Sequence, residues 1–355
     1  DVHDTISAHT PPGAPDVSAA PPIYSKDETQ TGFLAGEFIR WLSEQDQASP
    51  WFAHVSFLRP HPPFVVPEPY ASLYAPSTGP DFCSHDDIET ERAAHPYLAW
   101  QINRMKKADF VAGAEGRARD WTDTQRRIIR ALYWGMISEV DAQFGRLRQA
   151  LEDAGAWDNT LLVFTSDHGE MMGDHHMFGK GGFFDASYHI PLIIKMAGEQ
   201  GARGAAVDHF TQAADIAPTL STVMDVTPRT ALDGSSLAPF LAGETPANWR
   251  DAAFWEFDFR DVPDQAPEAH FGLASRKCNL AVLRDDDFKY VHFAGLPSLL
   301  YDLRTDPGEL ADVSDDPAYS GVRLALAEKL LSLRAAHLDQ TLANIELTAN
   351  GPVAR

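Results

Sequence analysis

Apolar residues at Phe33, Leu34, Phe38, Trp41 and Leu42 recur at helical spacing and predict a helix with one buried face. The period then changes. WFAHVSFL, residues 51–58, is short, aromatic and β-branched, the pattern of a buried strand. It stops at RPHPPFVVPEPY, whose prolines lack the N–H groups that sheet pairing requires. Residues 71–120 mix helical fragments with a loop, AGAEGRARD, and no chemistry is assigned to them. After them Thr122 and Gln125 form a capping box, and Ile129, Leu132, Met136, Val140, Phe144, Leu147 and Leu151 make one apolar stripe ending near Gly155.

NTLLVFTSD follows with almost no polar alternation, as a strand covered on both faces requires. IPLIIKM, residues 190–196, reads as a further core strand, and DHFTQAADIAPTLSTVMDV as a helix disturbed by Pro218 or as two short helices. Beyond Trp249 the texture becomes strand and turn: AAFWEF, NLAVLRDDDFKYVHF and SLLYDL predict a small antiparallel sheet. Asp285, Asp286 and Asp287 fall in its hairpin turn and read as a solvated turn rather than a cation site. A last helix is expected over about residues 320–345, and the proline-rich residues 1–30 should run extended. Helix, short turn and buried strand together indicate an α/β protein. The expected division is residues 1–248 for an α/β core and 249–355 for a small α+β subdomain.

Composition narrows the partners. With 51 acidic against 29 basic side chains the net charge is −22, which opposes attraction to nucleic acid or to anionic membranes. An anionic substrate therefore needs a local positive site. Cys83 and Cys278 are too few for a disulfide framework and their spacing suggests no thiolate zinc site, so a reducing cytoplasm is expected.

The chemistry concentrates in TSDHGEMMGDHHMFGK, residues 165–180, at the carboxyl end of a predicted buried strand, where α/β sheets usually expose ligand-binding groups. A carboxylate at Asp167 beside an imidazole at His168 suits Zn or Mn better than Ca, which prefers oxygen throughout. Taken alone, an Asp-His-Gly triplet reads more simply as a helix cap and a half-buried histidine. Gly173–His175, the positive Lys180 and the strand returning at Ile190-Pro191-Leu192 tip the reading toward a metal site.

The run TSDHGEMMGDHHMFGKGGFFDASYHIPLIIK resembles the sulfatase branch of the alkaline phosphatase superfamily, with its S-D-(N/H)-G-E-x-x-G-(D/E)-H, lysine and returning V/I-P-L strand. SFLRPHPPFVVPEPY, DIAPTL and LLYDLRTDPGEL extend the resemblance, in order, over about residues 30–315. Histidine at 168 and the G-D-H-H-x-x-G-K spacing look most like the phosphonate monoester hydrolases and phosphodiesterases of that branch.

The resemblance implies an alkaline-phosphatase-like fold, a large mixed and mainly parallel sheet flanked by helices, with a small carboxyl-terminal antiparallel sheet and helix. It implies that Asp167 and His168 are metal ligands, that Lys180 holds the substrate's non-bridging oxygens, and that His61 contacts the leaving-group oxygen. His175 and His176 read as supports or turn residues, and Arg59 is left unassigned. The family's nucleophile is a formylglycine made in C/S-x-(P/A)-x-R, which neither CSHDD nor CNLAV matches. The expectation is therefore that the nucleophile and further metal-binding aspartates lie upstream of Asp1, and that this chain alone binds metal weakly and turns over nothing. The expected substrate is a small anionic phosphonate or phosphate ester; a sulfate ester hydrolase and a non-catalytic binding module are the alternatives. A homo-oligomer is compatible with the carboxyl-terminal hairpins and helix.

Overall fold

The computed structural model describes residues 17, 21–46, 49–198, 201, 203–230, 232–337, 345–349 and 351–354. Pro11, Pro12, Pro15 and the last part of the expected final helix lie outside the described residues. Two compact units divide the chain, Asp1–Arg203 and Gly204–Arg355. The sequence division at residue 248 follows the change to strand-and-turn texture and not this boundary.

In the first unit, helix α1 (Gln30–Ser43) buries Ala35 and Leu42. Two short helices follow, α2 (Ile88–Ala94) and α3 (Pro96–Arg104). The long α4 (Asp123–Asp153) starts at the expected capping box: Thr122 Oγ1 accepts from Gln125 N at 3.3 Å, and Gln125 Oε1 accepts from Thr122 N at 2.9 Å. Its stripe is buried at Ile129, Leu132, Met136, Leu147 and Leu151. Thr122→Ala is expected to cost about 1 kcal/mol, seen as a lower urea midpoint at unchanged slope.

Strand β1 (Leu162–Thr165) pairs antiparallel with β2 (Leu192–Lys195), Leu162 opposite Lys195 and Thr165 opposite Leu192. This corrects the expectation of a large, mainly parallel sheet, because these two strands form a sheet of their own among the described residues. The double cover expected of NTLLVFTSD is not there either: Leu162, Val163 and Phe164 are half-buried and Thr165 is exposed. Residues 51–58 also form no strand among the described residues. Their exposure alternates from Trp51 to Leu58 as strand side chains do, yet no neighbouring strand supplies the ladder that would define one.

An aromatic cluster fills the space between α4 and the loop after β1. Phe64 stacks on Phe110 at 6.1 Å, Phe110 meets Phe178 at 5.5 Å, and Trp121 stands edge-on to Phe178 at 4.9 Å. Large rings from distant segments thereby seat the Met171–Phe184 stretch on the interior.

In the second unit, α5 (Ile216–Val223) corresponds to the later of the two short helices expected around Pro218. Strands β3 (Ala253–Asp258), β4 (Asn279–Arg284), β5 (Phe288–Phe293) and β6 (Leu299–Asp302) form the antiparallel sheet in that order. Asp285 Oδ1 accepts from the N–H groups of Asp287 and Phe288, so the acidic triplet closes a hairpin, as expected. Helix α6 (Ser320–Ala336) covers β4 and β5, with Leu326 and Leu330 joining Ala281, Leu283, Tyr290 and Leu300 in one core. A third pair, β7 (Ile345–Thr348) and β8 (Gly351–Ala354), is antiparallel. Among the described residues no helix is long and apolar enough to cross a membrane.

Candidate active site

The end of β1 delivers Asp167 into solvent, its side chain 85% exposed, with His168 beside it. Oδ1 of Asp167 accepts from the His168 backbone N–H at 3.0 Å, which turns the carboxylate toward the imidazole. Nδ1 of His168 lies 2.7 Å from the Gly169 carbonyl. A carbonyl only accepts, so Nδ1 donates in this contact. Nε2 stands 3.6 Å from Asp167 Oδ2. Two donor atoms thus converge as adjacent ligands of one divalent ion do, with the ring fixed from behind by a backbone group.

This pair fits a metal in chemistry and spacing, but it is incomplete. Among the described residues no group of three or more His, Cys, Asp or Glu could hold a metal ion, and structural or catalytic zinc usually takes at least three protein ligands.

Gly169 is required by a close approach rather than by a left-handed turn. A Cβ there would lie 2.1 Å from the Ala186 carbonyl oxygen, which accepts from Glu170 N at 2.9 Å. The loop beyond is held in uncommon backbone conformations: Met172, His175 and His176 all have positive φ, 46°, 50° and 53°. Three sets of contacts impose them. Glu170 Oε1 accepts from the N–H groups of Gly179 and Met172, drawing the two ends of the loop together. Burial pushes the Glu170 carboxyl up to about 7, against the opposing pull of those N–H groups and of Lys180 nearby.

Arg130 of α4 donates to the Met172 carbonyl at 3.1 Å and to Asp174 Oδ1 at 2.8 Å, and Arg126 donates to the Gly173 carbonyl at 3.3 Å. Finally, His175 Nδ1 meets Glu91 Oε1 of α2 at 2.8 Å while its ring stacks on Phe184 at 3.7 Å.

His176 donates from Nε2 to the His85 carbonyl at 3.0 Å and accepts at Nδ1 from Arg126 at 3.3 Å, so neither nitrogen is left for a ligand. Burial holds its pKa below the usual histidine value. The sequence reading of His175 and His176 as supports agrees with both sets of contacts.

Lys180 is exposed where this loop ends. His61 is exposed in the turn that its N–H closes on the Leu58 carbonyl at 3.0 Å. Nδ1 of His61 lies 2.6 Å from the Pro62 carbonyl and so carries the proton, leaving Nε2 directed elsewhere. Among the described residues no hydrogen bond or ion pair joins His61 or Lys180 to Asp167 or His168. The structure brings Asp167 and His168 together and clamps the loop that leads to Lys180; His61 belongs to a separate turn. Sequence reading missed Glu170, although it lies inside the quoted motif, and Glu91, whose partner is 84 residues away.

An exposed carboxylate and an imidazole at a strand end, followed by a clamped loop and an exposed lysine, are the groups this unit offers for hydrolase chemistry. The chain belongs to the sulfatase family of the alkaline phosphatase superfamily: the family described as Sulfatase matches residues 8–226, and that described as N-sulphoglucosamine sulphohydrolase, C-terminal, matches residues 173–336. It is 39% identical to the multifunctional alkaline phosphatase superfamily protein PehA of Trinickia caryophylli, over 98% of this chain and 67% of that protein. It superposes on the phosphonate monoester hydrolase of Agrobacterium radiobacter with a TM-score of 0.92 and 61% identity, over 98% of this chain and 69% of that one. An arylsulfatase of Clostridium perfringens is 28% identical over 83% of this chain, which spans 56% of that protein.

Proposed function

We propose that the intact protein hydrolyses phosphonate monoesters and phosphodiesters with the help of a divalent metal, Mn or Zn rather than Ca, and that its nucleophile is a formylglycine on a segment preceding Asp1. The observation that carries this reading is the Asp167 Oδ2 and His168 Nε2 pair, 3.6 Å apart, with Nδ1 of the ring held by the Gly169 carbonyl. Likeness to a phosphonate monoester hydrolase at 61% identity supports the substrate class.

Asp167 and His168 would hold the metal together with ligands from outside the described residues. When bound, the metal supplies Lewis-acid polarisation of the transferring phosphoryl group. A formylglycine, where present, would supply a hydroxyl oxygen as nucleophile. Lys180 binds the non-bridging oxygens and counters their growing charge, and in an acidic protein it also draws the anionic ester in. His61, with Nδ1–H held by the Pro62 carbonyl, acts in the form that also carries a proton on Nε2 and gives that proton to the leaving-group oxygen as the phosphorus–oxygen bond breaks. On this reading the 355-residue chain alone binds metal weakly and is inactive.

Intact mass under denaturing conditions, with peptide sequencing upstream of Asp1, tests the nucleophile. A segment bearing an oxidised cysteine supports the proposal, whereas an active preparation containing only the 39.1 kDa chain overturns it. Lys180→Ala is expected to lower kcat/KM on the order of 10²-fold while metal content stays constant. The sulfatase family itself favours a second reading, a sulfate ester hydrolase. Paired turnover of an aryl phosphonate monoester and an aryl sulfate separates the two, and a dominant sulfate preference sinks the first.

A further inference from the structure

Arg59 and Glu139 form an ion pair removed from solvent. The Glu139 side chain has no exposed surface, and that of Arg59 is 9% exposed. Glu139 Oε2 accepts from Arg59 Nη1, and Oε1 accepts from Thr29 Oγ1 at 2.6 Å. The second arm of the guanidinium reaches Tyr24 Oη at 3.5 Å. Thr29 is the N-cap of α1, Glu139 sits in the middle of α4, and Arg59 lies inside the turn that His61 closes on Leu58.

The same stretch is anchored again farther along. A Cβ at Gly135 of α4 would lie 2.4 Å from the Tyr70 carbonyl oxygen, so helix and loop touch there backbone to backbone. Phe64 N also donates to the Phe110 carbonyl at 2.8 Å. His61 is therefore an exposed imidazole between two fixed points, one ionic and one backbone.

Stability alone is a weak reason for the ionic point. Ion pairs placed in an interior lose so much hydration that apolar replacements of similar size are often neutral or stabilising. What the pair provides that apolar groups do not is direction, since a planar guanidinium held by a carboxylate fixes the backbone that carries it.

We infer that Glu139 is a positioning residue for His61, acting through Arg59: it sets the turn so that the imidazole presents Nε2 to the leaving group. This rests on the role proposed above for His61.

The test uses the intact protein with Glu139→Gln, and with the double variant Arg59→Met/Glu139→Leu, which keeps the volume and removes both charges should the single variant fail to fold. Two readouts are taken on variants whose melting matches the parent. The first is the His61 ring by ¹⁵N NMR, assigned with His61→Asn. The second is kcat/KM for phosphonate monoesters whose leaving groups differ in basicity.

The expected result is a His61 ring whose Nδ1–H loses its hydrogen bond to the Pro62 carbonyl. Turnover of an alkyl ester should fall about 10- to 100-fold while that of a 4-nitrophenyl ester changes less, because a good leaving group needs no proton. An unchanged ring with equal losses on both esters overturns the positioning role. If His61→Asn itself spares alkyl esters, the role of His61 falls, and the ring signal still decides whether Glu139 orients it.

Discussion

Asp167→Ala in the intact protein should lower phosphonate ester turnover on the order of 10³-fold, with a parallel fall in bound metal and almost no change in melting. The three effects separate because of where the side chain stands. Its carboxylate is 85% exposed and its one backbone contact is to the neighbouring His168 N–H, so the interior does not depend on it. Exposed substitutions of this kind usually change stability by no more than about 0.5 kcal/mol.

On the proposed reading the metal site, in contrast, loses half of the pair that this chain contributes. Metal per protein by mass spectrometry, kcat/KM on an aryl phosphonate and a thermal melt form one experiment. Lost activity together with a lowered melting temperature means that Asp167 is structural. Unchanged metal and turnover would instead favour a binding module built on a hydrolase fold.

What the sequence made legible was local. The capping box of α4, its apolar stripe, the Asp285 hairpin and the strand end carrying Asp167 are each encoded within a few residues, where propensity and hydrogen bonding act directly. The placing of Asp167 and His168 side by side was readable for the same reason.

Contacts that depend on distant partners were not readable. Residues 51–58 have the composition of a buried strand, but a strand exists only where a neighbour supplies hydrogen bonds, and the described residues provide none. Glu91 lies in the stretch to which no chemistry was assigned, and Arg59 was left unassigned. Their partners, His175 and Glu139, lie 84 and 80 residues away, and no periodicity links such positions. The sulfatase resemblance supplied what the local signals lacked, namely roles for Lys180 and His61, whose exposed side chains have no bonding pattern that announces them.

The buried Glu91–His175 pair should dominate the stability of the loop that ends at Lys180. Side-chain exposure is 2% for Glu91 and 5% for His175, and Glu91 Oε2 also accepts from His85 N at 3.0 Å. Burial by itself would raise the Glu91 pKa. The hydrogen bond and charge of His175, with the His85 N–H, outweigh burial and hold it below the usual glutamate value. His175→Ala leaves this carboxylate in the interior without its partner and removes the ring stacked on Phe184, so a loss of about 3–5 kcal/mol is expected.

Glu91→Gln differs in a way that fixes the sign of the pH dependence. A glutamate whose folded pKa is depressed stabilises the fold above its unfolded pKa, near 4.3, and that contribution disappears as pH falls through the lower folded value. Melting temperatures of the parent should therefore drop in that acid window, and those of Glu91→Gln should start lower at neutral pH and drop less. Because the pair fixes His175 at a positive φ next to Asp174 and the clamped turn, the same variants should raise KM by moving Lys180 before they unfold the protein. Coincident acid limbs for parent and variant would mean that Glu91 carries no net charge energy in the fold, and the rigidity of the loop would then have to come from Arg130 and Glu170 alone.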